Sequence, residues 1–237
     1  AHLYGVREYV TDHTIIYEEE VNDFIKYIDF LHSNNVDAII MQDLGMLDLV
    51  HKTFPNLEIH ASTQMHIHNL DGTLMAQKLG CKRVVLARET SIQEIQNIKN
   101  HSSIDLEIFG HGSLCVSYSG QCLFSSFIGH RSGNRGSCVG SCRLPYKIVN
   151  QEGKRLNEGD YPLSMKDLNT LENIGKLIDF NITSLKIEGR MKSPEYVYTV
   201  TKLYRLAIDS YYETGKVFIS QKDLDNLKRI FNREFTK

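Results

Sequence analysis

Apolar and polar positions along the first hundred residues follow two alternating rhythms. Short β-branched runs predict strands over residues 6–10, 37–41, 57–61, 83–87 and 105–109. Between them, apolar side chains recur every three or four positions, which predicts amphipathic helices. Val21, Phe24, Ile25, Ile28 and Leu31 form one such stripe behind the acidic Glu18-Glu19-Glu20. Ile92, Ile95 and Ile98 form another, behind the capping-box pair Ser91 and Glu94. Strand and helix alternating at intervals of roughly 20–25 residues indicate parallel βα units.

The rhythm stops after Phe109. Residues 110–145 carry seven glycines, many serines and no periodic apolar face; a loop of that length inside a domain is usually functional. The theme then resumes. Ser164-Met165-Lys166-Asp167 predicts the start of a helix through about residue 178, and residues 182–187 a further strand. Ser193-Pro194 is an N-cap and first-turn pair for a long helix burying Val197, Val200, Leu203, Tyr204, Ala207 and Tyr211. A last short helix follows Ser220. The pattern supplies six parallel strands where a closed (β/α)8 barrel needs eight. The expectation is an α/β chain of TIM-barrel type lacking its first two βα units, as one region over 1–237 with a Cys-rich insertion at 110–145. Residues 220–237 are expected to lead toward a further C-terminal domain. An open doubly wound sheet is the alternative. A broken barrel leaves a strand edge at residues 6–10 for a partner chain.

Composition narrows the chemistry. The chain has 237 residues, 41% hydrophobic and 24% charged, with 4 prolines and no tryptophan, which excludes collagen-like and disordered classes. No apolar run approaches the roughly 20 residues of a membrane helix, and the N-terminus does not read as a signal peptide. A cytoplasmic protein that does not engage membranes is expected. Of five cysteines, Cys81 stands apart and reads as a small buried side chain. The other four, Cys115, Cys122, Cys138 and Cys142, form C-x6-C-x15-C-x3-C within 28 residues. Thiolates are soft anionic donors, and this spacing suits an iron–sulfur cluster better than zinc, whose structural sites favour C-x2-C knuckles. Zinc and unligated thiols remain open.

Charge is also local. Residues 108–151 contain no Asp or Glu but include Arg131, Arg135, Arg143 and Lys147, a balance of +4 against −6 for the rest of the chain. Such a stretch neutralises a thiolate cluster or meets an anionic substrate, and the two are compatible. Polar groups recur just beyond strand ends, where barrels and open sheets both place their sites. These are Gln42-Asp43, Ser62-Thr63-Gln64, Arg88-Glu89, His111 and Glu188-Gly189-Arg190. No H-E-x-x-H or G-x-S-x-G occurs. A Cys–His nucleophile could be drawn only from Cys115 with His111 or His130.

Two segments carry a resemblance. Glu107-Ile-Phe-Gly-His-Gly-Ser-Leu-Cys115 and Gly120-Gln-Cys122-Leu-Phe-Ser125 resemble the signature of peptidase family U32, the collagenase-like proteases, with Phe124 where an aliphatic residue is usual. The likeness extends through His60-Ala-Ser-Thr-Gln64, the run from Gly129-His130-Arg131 to Cys142-Arg143, Lys186-Ile-Glu-Gly-Arg-Met-Lys-Ser193 and Phe231-Asn-Arg233. It implies a barrel-like catalytic region preceded by two βα units and followed by a small domain. It also implies that Cys115, Cys122, Cys138 and Cys142 hold a [4Fe–4S] cluster, as in the branches that hydroxylate RNA. Hydroxylation of a tRNA uridine with prephenate as co-substrate is the expected activity, possession of a paralogous partner subunit a further expectation, and peptide cleavage the alternative. Arg131, Arg143 and Arg190 are then candidates to hold the substrate, and Glu188 or Glu89 to move a proton or orient a base.

Overall fold

The computed structural model describes residues 1–190, 192–230 and 232–236; Met191 and Phe231, which fall in two of the matching motifs, and Lys237 lie outside them. The fold is α/β, and the chain divides into two compact units. The first comprises Ala1–Leu106 and Ser117–Ser141, the second Glu107–Val116 and Cys142–Lys237.

In the first unit, β1 (Tyr9–Asp12), α1 (Val21–Ser33), β2 (Ala38–Met41), α2 (Leu44–Thr53), β3 (Glu58–Ala61), α3 (Leu70–Lys78), β4 (Arg83–Val85) and α4 (Ile92–His101) alternate as the pattern requires. The strands pair in parallel, with Tyr9 opposite Ala38, Ala38 opposite Glu58 and His60 opposite Arg83. Ala38, Ile39, Ile40 and Met41 are all buried, as expected of a parallel strand covered on both faces. α1 buries Phe24, Ile28 and Leu31 along one stripe, each contributing about 1.5–3 kcal/mol. The helices start where side chains accept otherwise orphaned backbone N–H groups: Asp43 from Met46, Asn69 from Gly72 and Ser91 from Glu94. The first strand begins at Tyr9, three residues later than the sequence pattern places it. Cys81 is buried as expected, and burial pushes its thiol up to about 12.

β5 (Asp105–Ser113) is longer than its apolar run, because Gly110-His111-Gly112 continue the strand. Within the 110–145 stretch the chain forms only a short helix, α5 (Phe124–Gly129), and 3-10 turns at Gly133–Arg135 and Ser141–Arg143. In the second unit, β5 pairs antiparallel with β6 (Asp167–Asn169). This corrects the helix expected from Ser164: the segment is a strand first, and α6 (Ile174–Asp179) begins only after a 3-10 turn. Pairing of Leu168 with Gly112 and burial of Asp167 outweigh a local helical signal that lacks a capping bond. β7 (Ser184–Ile187) pairs parallel with β5 on its other side.

α7 (Pro194–Thr214) starts where expected: Ser193 Oγ accepts the Tyr196 N–H at 3.3 Å, Pro194 occupies the first turn, and Gly215 ends the helix at φ +71°. Its buried residues are Tyr196, Val200, Leu203, Tyr204 and Ala207, whereas Val197 is 41% exposed. The apolar stripe therefore begins one residue earlier than the sequence suggests. α6 and α7 pack at Gly175, where any side chain would meet the Tyr211 ring. After α8 (Gln221–Arg229) the chain returns to the sheet as β8 (Phe235–Thr236), parallel to β6. Among the described residues no helix is long and apolar enough to cross a membrane.

Candidate functional site

The first unit fastens its part of the cysteine loop through residues singled out by the sequence. Glu89, just beyond β4, accepts Ser119 N–H and Ser119 Oγ–H, both at 2.9 Å, and pairs with His66 at 3.0 Å. Its carboxylate is thus an anchor for the loop. Next along, Gly120 adopts φ +74° against the Gln64 backbone, and a Cβ there would lie 2.0 Å from the Gln64 carbonyl oxygen. Only glycine permits that approach. Gln42 donates to the carbonyls of His13 and Asn134, at 2.9 and 2.7 Å. Arg135 is held by Glu20 at 2.9 and 2.6 Å, donates to the Ile15 carbonyl, and stacks on Tyr17 at 4.1 Å from the ring centroid. Arg131, by contrast, is exposed.

Cys122 and Cys138 belong to this unit, and Gly133 lies between them, its Cβ direction 3.8 Å from both the Cys122 carbonyl and Cys138 Cβ. Cys138 Sγ accepts the Gly140 N–H at 3.4 Å and the Ser125 hydroxyl at 3.6 Å. Such donors stabilise a thiolate in its role as metal ligand.

Cys115 and Cys142 belong to the second unit. There Arg143 donates to Ser164 Oγ at 3.0 Å, to the Met165 carbonyl at 2.8 Å and to the Leu114 carbonyl. One guanidinium thereby ties the residue before Cys115 to the residue after Cys142. Like Glu89, Arg143 holds the loop. None of the four cysteines is in a disulfide, and all are half-buried or exposed. Among the described residues no three His, Cys, Asp or Glu side chains already converge on a metal position. As a donor set, four reduced thiols in an acid-free, hydroxyl-rich loop fit an iron–sulfur cluster.

The second unit also contains a buried polar group that the sequence only partly announced. A register shift between Phe109 and His111 accommodates Gly110, whose carbonyl accepts Tyr204 O–H at 2.5 Å, Thr170 N–H at 3.1 Å and Thr170 Oγ–H at 2.9 Å. His111 is 1% exposed, packed among Tyr196, Tyr204 and Phe235. That burial argues against His111 as the base of a thiol nucleophile. Asp167 is equally buried. Its Oδ1 accepts from Arg233 at 3.2 Å, Arg233 also donates to Ser113 Oγ at 3.0 Å, and Asp167 Oδ2 has no partner among the described residues. Lys192 lies 4.9 Å from the Tyr196 ring centroid, and burial lowers its pKa. Burial likewise pushes the Tyr196 and Tyr204 hydroxyls up to about 12.

Glu188 donates its backbone N–H to the His111 carbonyl at 2.8 Å, and its backbone is so close that Gly112 admits no side chain. Arg190 is exposed just beyond it. His111, Lys192 and Arg233 sat within motifs that the sequence exposed; Asp167 was hidden by its reading as helix, and Tyr196 carried no signal beyond its place after the cap.

Burial pushes His111 down to about 4, with Asp167 opposing and Lys192 reinforcing the shift. The unfolded chain binds this proton near 6.5, the folded protein only near 4. The corresponding stability, about 3 kcal/mol, is complete above pH 6.5 and is lost as pH falls toward 4. Thermal melts should therefore show the native protein losing stability across that window, with His111→Gln losing less. Parallel curves for the two would contradict a neutral, buried His111.

The profile of peptidase family U32 matches residues 1–237. The "tRNA hydroxylation protein P1" of Bacillus subtilis is 39% identical over 99% of this chain and 57% of its own length. The "23S rRNA 5-hydroxycytidine C2501 synthase" of Escherichia coli is 40% identical over 90% of this chain and 32% of its own. A "Collagenase" of Porphyromonas gingivalis is 34% identical over 98% and 58%. The chain thus spans less than two thirds of each of these relatives. Among solved structures, the U32 peptidase Mk0906 matches at TM-score 0.42 and 16% identity, over 48% of this chain and 49% of that one. A profile matched from first residue to last leaves one assignment: the chain belongs to peptidase family U32.

Proposed function

We propose that this protein takes part in hydroxylation of an RNA pyrimidine, with a tRNA uridine as the first candidate, and that Cys115, Cys122, Cys138 and Cys142 hold a [4Fe–4S] cluster for it. The observation that carries the reading is the loop: four reduced cysteines in an acid-free segment, fastened by Glu89, Gly120 and Arg143. Relatives named for tRNA and rRNA hydroxylation support RNA as the substrate. When bound, such a cluster supplies one-electron transfer.

This chain's own residues then divide into two sets. Glu89 and Arg143 position the ligand loop, while Arg131 and Arg190, both exposed, face the substrate. Glu188, within electrostatic reach of Lys192 and Tyr196, is the proposed group for moving a proton or orienting the base. Prephenate as co-substrate and a paralogous partner chain rest on the resemblance. A barrel architecture rests on the four consecutive parallel βα units of the first unit, and a cytoplasmic setting on RNA as substrate.

Peptide cleavage is the second reading, favoured by the collagenase relative. Nucleoside mass spectrometry of tRNA and rRNA from cells lacking the protein separates the two. Loss of a 5-hydroxylated pyrimidine is expected; unchanged RNA modification together with lost peptide cleavage would overturn the proposal in favour of the second reading.

A further inference from the structure

One cleft of the first unit lies beside the cysteine loop, between Tyr17 and the segment that joins Cys122 to Cys138. It measures about 560 Å³, within the roughly 300–1,000 Å³ range of small-ligand sites. Tyr17, Ser126, His130, Arg131, Ser132 and Ser137 line it together with Arg135. The lining therefore offers hydroxyl, imidazole and guanidinium donors and no carboxylate. Glu20, the nearby acid, is engaged by Arg135 in two hydrogen bonds.

Two parts of the cleft are held in place in advance. Arg135 is pinned to Glu20 and to the Ile15 carbonyl, and its guanidinium covers the Tyr17 ring at 4.1 Å. Tyr17 itself donates its backbone N–H to Glu20 at 2.8 Å and remains 53% exposed. A flat ring stacked on a guanidinium in an exposed residue is a platform for a nucleobase. His130, at the end of α5, adopts φ +49°. That left-handed turn ends the helix, the next backbone N–H donating to the Ser125 carbonyl, and fixes where the chain enters the cleft. Arg131 follows it, exposed at the edge of the same cleft.

We propose that this cleft seats one nucleotide of a single-stranded RNA segment, its base against the Tyr17–Arg135 stack and its phosphate on Arg131, His130 and the serine hydroxyls. The inference rests on the RNA reading above and names a subsite for it. Stacking tolerates any base, so the cleft contributes affinity and register and leaves base identity to other contacts.

The test is fluorescence anisotropy of a short labelled single-stranded RNA titrated with the anaerobically purified protein at several salt concentrations. Tyr17→Ala should bind about 5- to 150-fold more weakly, the range of one lost base stack, and Tyr17→Phe should bind like the native protein. Arg131→Gln should reduce the slope of log affinity against log salt by about 0.7, the loss of one single-strand phosphate contact. Lys78→Gln, which removes the same charge from α3, should leave that slope unchanged. Unaltered melting temperature and metal content show that each variant is folded. RNA binding by the native protein that neither Tyr17→Ala nor Arg131→Gln weakens would overturn the cleft and leave the RNA reading standing. No RNA binding by the native protein would overturn both.

Discussion

Replacing Cys138 with serine is expected to strip the protein of its cluster and to abolish RNA hydroxylation, with little effect on the packed units. The reason lies in what surrounds the sulfur. Cys138 Sγ accepts a backbone N–H from Gly140 and a hydroxyl from Ser125, an arrangement that supports a thiolate in coordination. A serine oxygen is a hard donor and a poor iron–sulfur ligand. The side chain is exposed, so no core is disturbed. Cys81→Ser is the matching control: that thiol is buried 3% exposed in the first unit and pushed up to about 12, so it neither ligates nor reacts. Iron and sulfide should fall to background in Cys138→Ser and persist in Cys81→Ser. Hydroxylated nucleosides should follow the metal. Peptide cleavage that survives in Cys138→Ser while RNA modification never appears would support the peptidase reading instead.

Gly120→Ala should be nearly as damaging, through the backbone alone. A Cβ at this position would lie 2.0 Å from the Gln64 carbonyl oxygen and 2.7 Å from its carbon, both main-chain atoms that no rotamer can move aside. The residue also holds φ +74°, a further cost for alanine. The contact is relieved only if the loop lifts away from the turn after β3, which breaks the two bonds from Ser119 to Glu89 next door. A loss of about 3 kcal/mol is expected, or roughly 6–12 °C in melting temperature for a chain of this size. Cluster retention should fall with it, since Cys122 lies two residues further on. Gly136→Ala is the contrast: its φ is +72°, yet nothing lies within 4 Å, so it carries the backbone strain without the clash. Equal melting temperatures for the two variants would show that the Gln64 contact does not constrain the loop.

Much of this architecture was legible because local rules and tertiary packing agree. Ser193-Pro194 marks the start of α7, Ser91 caps α4, and the apolar runs locate β2 and β3 to within a residue. Where the two disagree, packing prevails. Asp167 reads as the first turn of a helix, but its strand conformation is fixed by β5 on one side and β8 on the other, partners distant in sequence. The strand-end residues show the same division. Their positions were visible, but the direction of each side chain was not. Glu89 and Arg143 have the residue types of a catalytic acid and an anion holder, yet their hydrogen bonds are spent on Ser119, Ser164 and the Met165 and Leu114 carbonyls. The cysteines were the clearest signal because their spacing has no use in packing. The buried group around His111 was faint, since a histidine, an aspartate and two tyrosines scattered from 111 to 204 share no local pattern.

The central claim is that four thiols of this loop serve a redox cluster. Its most direct test is the content of iron, acid-labile sulfide and zinc in protein purified under strict exclusion of oxygen, with the visible spectrum recorded on the same sample. About four irons and four sulfides per chain, with broad absorption that bleaches on reduction, is the predicted result. One zinc per chain with no sulfide and no colour would make the site structural and contradict the account.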